Sequence, residues 1–328
     1  MKRFVKAIRS ILLWGIIAAI GAVGFGVLAL NQGETINSIW LLTAAVCTYA
    51  VAYRFYSKFI AHKVFNLDDN RKTPAELNND GKDYVPTNKW VLFGHHFAAI
   101  AGAGPLVGPI LAAQMGYLPG TIWIIVGVVL AGAVQDFVIL FGSIRRNGKS
   151  LGEMIKEEIG PVTGFIAMVG IFGIMVILLA VLALVVVKAL TDSPWGMFTI
   201  AATIPIAFFM GIYMRYLRPG RVGEASIIGI ILLLLSIYFG QYVSQHETLA
   251  EMFTFTGEQI AIMLIIYGFV ASVLPVWLLL APRDYLSTFL KIGTIVGLAI
   301  GILVVAPNLE MPAMTQFVDG TGPVFSGN

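Results

Sequence analysis

The chain has 328 residues, of which 58% are hydrophobic and only 12% charged. An ordinary globular domain carries about 25% charged residues, so the charged skin that a soluble protein of this length needs is missing. The net charge is +3, and the lone Cys47 excludes an intrachain disulfide and a metal site built on thiolates. The sequence suggests no cofactor and no metal.

Apolar runs of about 17–25 residues are long enough to cross the bilayer as helices. Nine hydrophobic segments follow in order: 11–30, 39–56, 90–114, 121–144, 162–187, 195–214, 225–243, 260–280 and 286–305. The first follows Lys2, Arg3, Lys6 and Arg9, the pattern of a secretory signal. Its 20 residues exceed the ~7–15 of a signal core, so it is expected to stay as a membrane helix.

Lys and Arg set the orientation, because they accumulate in cytoplasmic loops. With the N-terminus in the cytoplasm, all 21 Lys and Arg residues except Lys188 fall on the inner side. That explains the positive charge without nucleic acid. Lys188 can snorkel to the outer headgroups. The whole of 1–328 is expected to be a single membrane domain in a bacterial cytoplasmic (inner) membrane.

Two polar stretches interrupt the pattern. Residues 57–89, rich in Asp, Asn and Lys, form a cytoplasmic connector too short for a core of its own. In 150–159, Ser150 and Glu153 form a capping-box start, and Leu151, Met154 and Ile155 share a face. A short interfacial helix is expected there.

The third segment is the most informative. Gly102, Gly104, Pro105, Gly108 and Pro109 lie within eight residues. Proline removes a helical donor and glycine relaxes the backbone, so a regular helix from Gly102 to Pro109 is not expected. Two readings stand. In one, the discontinuous helix presents its free backbone groups, with Gln114 just beyond, to a substrate. In the other, it is a packing kink.

His95 and His96 stand six and seven residues past Lys89, and Asp136 stands nine before Arg145. At ~1.5 Å per residue these are depths of roughly 10 and 13 Å from one face. An intramembrane carboxylate is costly and a functional candidate, and histidine titrates near neutral pH. Asp136, with Gln135 beside it, and His95 or His96 therefore form either a proton-coupling pair or a buried structural hydrogen bond. Glu224 is expected to complement a helix N-terminus. Gly293, Gly297 and Gly301 form a small-residue packing stripe, and Pro205 and Pro275 should kink their helices.

The run HFAAIAGAGPLVGPILAAQMGYLPG, followed by GVVLAGAVQD, resembles the carbon starvation protein A (CstA) family. Supporting pieces are Arg54–Ile60 (RFYSKFI), Asn147–Gly152 (NGKSLG), Gly223–Ser226 (GEAS) and the terminal GTGPVF at 320–325. The resemblance implies a membrane carrier made during carbon starvation, linked to peptide or proton-coupled pyruvate uptake. It also implies a LeuT-like fold of the amino acid–polyamine–organocation class. Family members are usually longer, so this chain is expected to be a C-terminally truncated member.

The expected function is secondary transport of a small-molecule substrate across the lipid bilayer, with the proton as coupling ion and a homo-oligomer as one possible assembly. The rival class is a starvation sensor or structural subunit. No enzyme is expected, because His-Glu-x-x-His and Gly-x-Ser-x-Gly motifs are absent.

Overall fold

The computed structural model describes residues 2–30, 35–82, 84–102 and 104–322. Residues 31–34 of the first expected outer turn, Ala103 of the Gly/Pro run and Pro323–Phe325 of the terminal motif lie outside them.

Among the described residues the chain is all-helical, with one isolated bridge between Asn37 and Asn308. The helices are α1 (Lys2–Ala29), α2 (Ile39–Val64), α3 (Pro74–Leu77), α4 (Lys89–Ile100), α5 (Gly104–Ala113) and α6 (Tyr117–Arg145). They continue as α7 (Leu151–Glu158), α8 (Pro161–Leu190), α9 (Pro194–Leu217), α10 (Val222–Gln245), α11 (Glu247–Phe253), α12 (Gly257–Val273) and α13 (Leu280–Val305). Seven of the described helices are long and apolar enough to cross a membrane, and the pair α11 and α12, bent by 58°, makes an eighth if counted as one span. This is the pattern of a polytopic membrane protein.

Local chemistry explains the boundaries. Ser150 Oγ accepts from the Glu153 amide, and Glu153 Oε2 accepts from the Ser150 amide at 3.0 Å, so the expected capping box starts α7. Pro161 opens α8 at a position where a missing N–H costs nothing. The eighth segment departs from expectation. Leu274 is extended (φ −72°, ψ 147°) because Pro275 bars the helical conformation from the residue before it. Pro275 therefore ends α12 where a kink was expected, and the last helix begins at Leu280, not at 286. Pro205 lies within α9.

The small-residue stripe on α13 also departs from expectation. A Cβ at Gly293, Gly297 or Gly301 would meet no atom within 4 Å, so the packing expected of that stripe is not made by the described residues.

The chain divides into two compact units. The first comprises Met1–Arg71, Leu106–Lys149 and Ile295–Asn328, and the second Lys72–Pro105 and Ser150–Thr294. In the first, Leu28, Ile36, Ala44, Tyr117 and Ile125 form the core. In the second, Val91, Met210, Leu233, Tyr285 and Leu286 bring α4, α9, α10 and α13 together.

Candidate functional site

The third segment is interrupted, and the interruption is shorter than expected. Helix α4 ends at Ile100 and α5 starts at Gly104, with Ala101 and Gly102 outside both helices. Pro105 is the second residue of α5, where its lost donor would have had no intrahelical partner. The helix then continues through Gly108 and Pro109, against the expectation of irregular backbone there.

Ala101 has φ −80° and ψ 55°, and the Gly102 amide donates to the Ile100 carbonyl at 2.9 Å. That is an inverse γ-turn, which interrupts the helix without positive φ. A Cβ at Gly102, Gly104 or Gly108 would meet nothing within 4 Å, so close packing does not explain these glycines.

Beside this break, α13 lays a polar stripe on α4. Asp284, Thr288 and Lys291 are spaced four and three residues apart, on one helix face. His95 Nδ1 lies 2.8 Å from Asp284 Oδ2. The Thr288 hydroxyl donates to the Gly94 carbonyl at 2.7 Å, and Lys291 Nζ donates to the Ala98 carbonyl at 3.2 Å. The last carbonyls of a helix lack intrahelical donors, so a cation there complements both them and the helix dipole. Gly94 permits the approach, because a Cβ on it would stand 2.5 Å from Tyr285 Cδ2 and 3.2 Å from Tyr285 Cα. The Tyr285 hydroxyl lies 2.7 Å from Ser226 Oγ.

His95 also lines a cavity of about 470 Å³ within the second unit. Its other walls include Lys82 and Asn88 from the connector, Arg215 at the end of α9, and Trp277 from the turn before α13. Arg215 stacks on Trp277, with Cζ 4.1 Å from the ring centroid.

The remaining expected residues are dispersed. His96 is exposed on α4, and Gln135 and Asp136 are exposed on α6 in the first unit. Gln114 is half-buried in the first unit, where its backbone carbonyl accepts from the Thr315 hydroxyl and its side chain lies where a Cβ on Gly322 would fall. Glu224 stands in the first turn of α10 as expected, with Oε1 3.3 Å from Arg221 and Oε2 accepting from the Tyr213 hydroxyl at 3.2 Å.

Asp284, Thr288 and Trp277 were not among the expected site residues, and Arg215 and Lys291 counted only among the inner-side cations. The available signal was the helical spacing of Asp284, Thr288 and Lys291, which puts them on one face.

The family described as "Carbon starvation protein CstA" matches residues 37–328. The chain is 66% identical to the peptide transporter CstA of Campylobacter jejuni, covering 96% of this chain and 45% of that protein. It is 64% identical to the pyruvate/proton symporter BtsT of Escherichia coli K12, covering 98% and 45% respectively. It is 50% identical to the peptide transporter CstA of Bacillus subtilis, covering 89% and 48%. The chain thus spans about half the length of these relatives. No solved structure matches it.

Proposed function

We propose, from the premise that this chain belongs to the carbon starvation protein CstA family, that it acts in the uptake of small organic nutrients in response to carbon starvation. The cargo is a peptide or a pyruvate-like carboxylate, moved by secondary, proton-coupled transport rather than by enzymatic turnover. The chain lies in the bacterial inner membrane with its N-terminus in the cytoplasm, as part of a LeuT-like helical arrangement. All nine hydrophobic segments belong to one membrane domain, with 90–114 as a span broken in the middle, 57–89 as the cytoplasmic connector and 150–159 on the interface. It works alone or as a homo-oligomer.

The observation that carries this reading is the polar stripe of α13 meeting α4 beside its break. Charged groups in hydrocarbon cost about 2.5–3.5 kcal/mol each on insertion scales. Paired and placed at a broken helix, they are what proton-driven carriers use. His95 holds the coupling proton, and Asp284 supplies its carboxylate. His96, Gln135 and Asp136 are further polar stations on the proton path. Gly102, Gly104, Pro105, Gly108 and Pro109 lie along the surface that the cargo touches, and Gln114 contributes an amide.

The test is uptake of radiolabelled pyruvate and dialanine into proteoliposomes holding this chain, with the Escherichia coli pyruvate/proton symporter as positive control. Saturable accumulation driven by an inward proton gradient is the expected result. No accumulation by this chain, while the control accumulates pyruvate, contradicts the reading.

A further inference from the structure

The cavity that His95 lines holds two exposed cations at its rim. Arg215 and Lys82 both line it, and neither has a carboxylate within ion-pair distance among the described residues. Some other charged groups of this unit do have partners. Glu224 takes Arg221 at 3.3 Å and Arg218 at 4.0 Å, Asp284 takes His95, and the Arg283 guanidinium donates to the Tyr267 hydroxyl at 2.8 Å. The carboxylate nearest in sequence to Arg215, Glu224, is thus already engaged by other arginines.

Arg215 is also held in place. Its guanidinium lies over Trp277, and Tyr216 packs edge-on against the same indole at 5.8 Å between centroids. A Cβ on Gly81 would come 4.0 Å from Arg215 Nη2, and Gly81 itself has φ +72°, a region glycine enters at little cost. The connector therefore turns at Gly81 beside the guanidinium, and Lys82 and residues 85–88 line the cavity. A stacked guanidinium keeps its in-plane N–H fork free for two parallel bonds to a carboxylate.

The volume, about 470 Å³, falls within the range of small-molecule sites, roughly 300–1,000 Å³. The Val91, Leu92 and Met214 side chains give it an apolar body, while Asn88 and Thr87 add neutral polar groups. His95, paired to Asp284, forms another part of the lining.

We infer that this cavity is a binding site for a small organic carboxylate. Arg215 takes the carboxylate by its fork, Lys82 adds a second positive charge, and the apolar wall takes a short aliphatic tail. The site is distinct from the Gly/Pro break, and it makes the connector part of the binding machinery. By the distribution of Lys and Arg it opens on the cytoplasmic side, where cargo leaves or re-enters. That last assignment rests on the carrier reading; the carboxylate site does not.

An arginine flanked by aromatic rings at a membrane edge could equally hold the phosphate of an anionic lipid, so the test separates the two. This chain is placed in nanodiscs of neutral phosphatidylcholine, and pyruvate and dialanine binding are titrated by calorimetry, which requires no turnover. Binding of at least one is expected, weakened at least tenfold by Arg215→Gln, less by Arg215→Lys and about threefold by Lys82→Gln. Leu298→Ala, on an exposed face of α13, serves as a folding-neutral control and is expected to bind as wild type. Equal binding by wild type and Arg215→Gln overturns the proposal. So does no binding of either compound in neutral lipid, including the case where Arg215-dependent retention of phosphatidylglycerol is seen instead. If binding follows the expected pattern but proteoliposomes show no uptake, the carrier reading fails and the site stands.

Discussion

Helices α8 and α13 are both long apolar rods, of 30 and 26 residues, yet they meet their surroundings in opposite ways. From Phe165 to Val181 nearly every large side chain of α8 is exposed, and a Cβ at Gly170 or Gly173 would touch nothing within 4 Å. A helix apolar all round needs only lipid. Helix α13 instead buries Tyr285, Leu286 and Thr288 and turns Asp284, Thr288 and Lys291 toward α4. Membrane insertion alone accounts for α8 and does not account for the charges of α13. Burial marks where the molecule is assembled, and charge within that burial marks the site we propose for coupling.

The contrast can be broken most sharply at Lys291. Lys291→Met removes the donor to the Ala98 carbonyl. Uptake should fall by about 10–100-fold, as expected for loss of about 1.5–3 kcal/mol from a hydrogen bond to a charged group. Leu179→Met, on the exposed face of α8, should leave uptake within about twofold, since such surface changes stay within about 0.5 kcal/mol. Equal effects would erase the distinction.

A smaller effect, on stability, comes from glycines. Gly94→Ala drives a methyl into Tyr285, whose Cα stands 3.2 Å away, and should destabilise the protein by about 1–3 kcal/mol. Gly173→Ala on α8 has open space and should be neutral or stabilising by up to ~1 kcal/mol. Thermal unfolding of both variants in one detergent compares them directly.

The smallest expected effect lies in the connector. The Glu76 carboxylate accepts from the Thr73 amide at 2.8 Å and from the Thr73 hydroxyl, which hold its pKa below the usual carboxylate value. A lowered folded pKa stabilises the charged form, so the contribution to α3 is complete above the ordinary carboxylate range and is lost as pH falls through the folded value. The protection of the Thr73 amide from exchange, relative to its intrinsic rate at each pH, should fall on acidification over that window, and Glu76→Gln should remove that pH dependence.

Much of this was legible from composition and spacing. Seven of the nine apolar runs appear as long helices, because length and hydropathy are properties of the run itself. The α7 cap and the break after Ile100 were legible for the same reason, since Ser150, Glu153, Gly102 and Pro105 act locally. The polar partners were not. His95 and Asp284 are 189 positions apart, and only tertiary packing joins them. Asp284 was also hidden by a misplaced boundary. With the last helix started at 286, Asp284 counted as loop, whereas Pro275 ends α12 early and α13 begins at Leu280. Asp136 drew attention because it sits inside an obvious apolar run, although the structure leaves it exposed on α6.

The most direct test of the coupling role is proton flux. In proteoliposomes of this chain carrying an internal pH dye, wild type should acidify the lumen in step with pyruvate or dialanine entry. Asp284→Asn, which keeps the shape and removes the charge beside His95, should still exchange labelled for unlabelled cargo but move no protons with it. Proton movement with cargo at the wild-type ratio in Asp284→Asn would contradict the account.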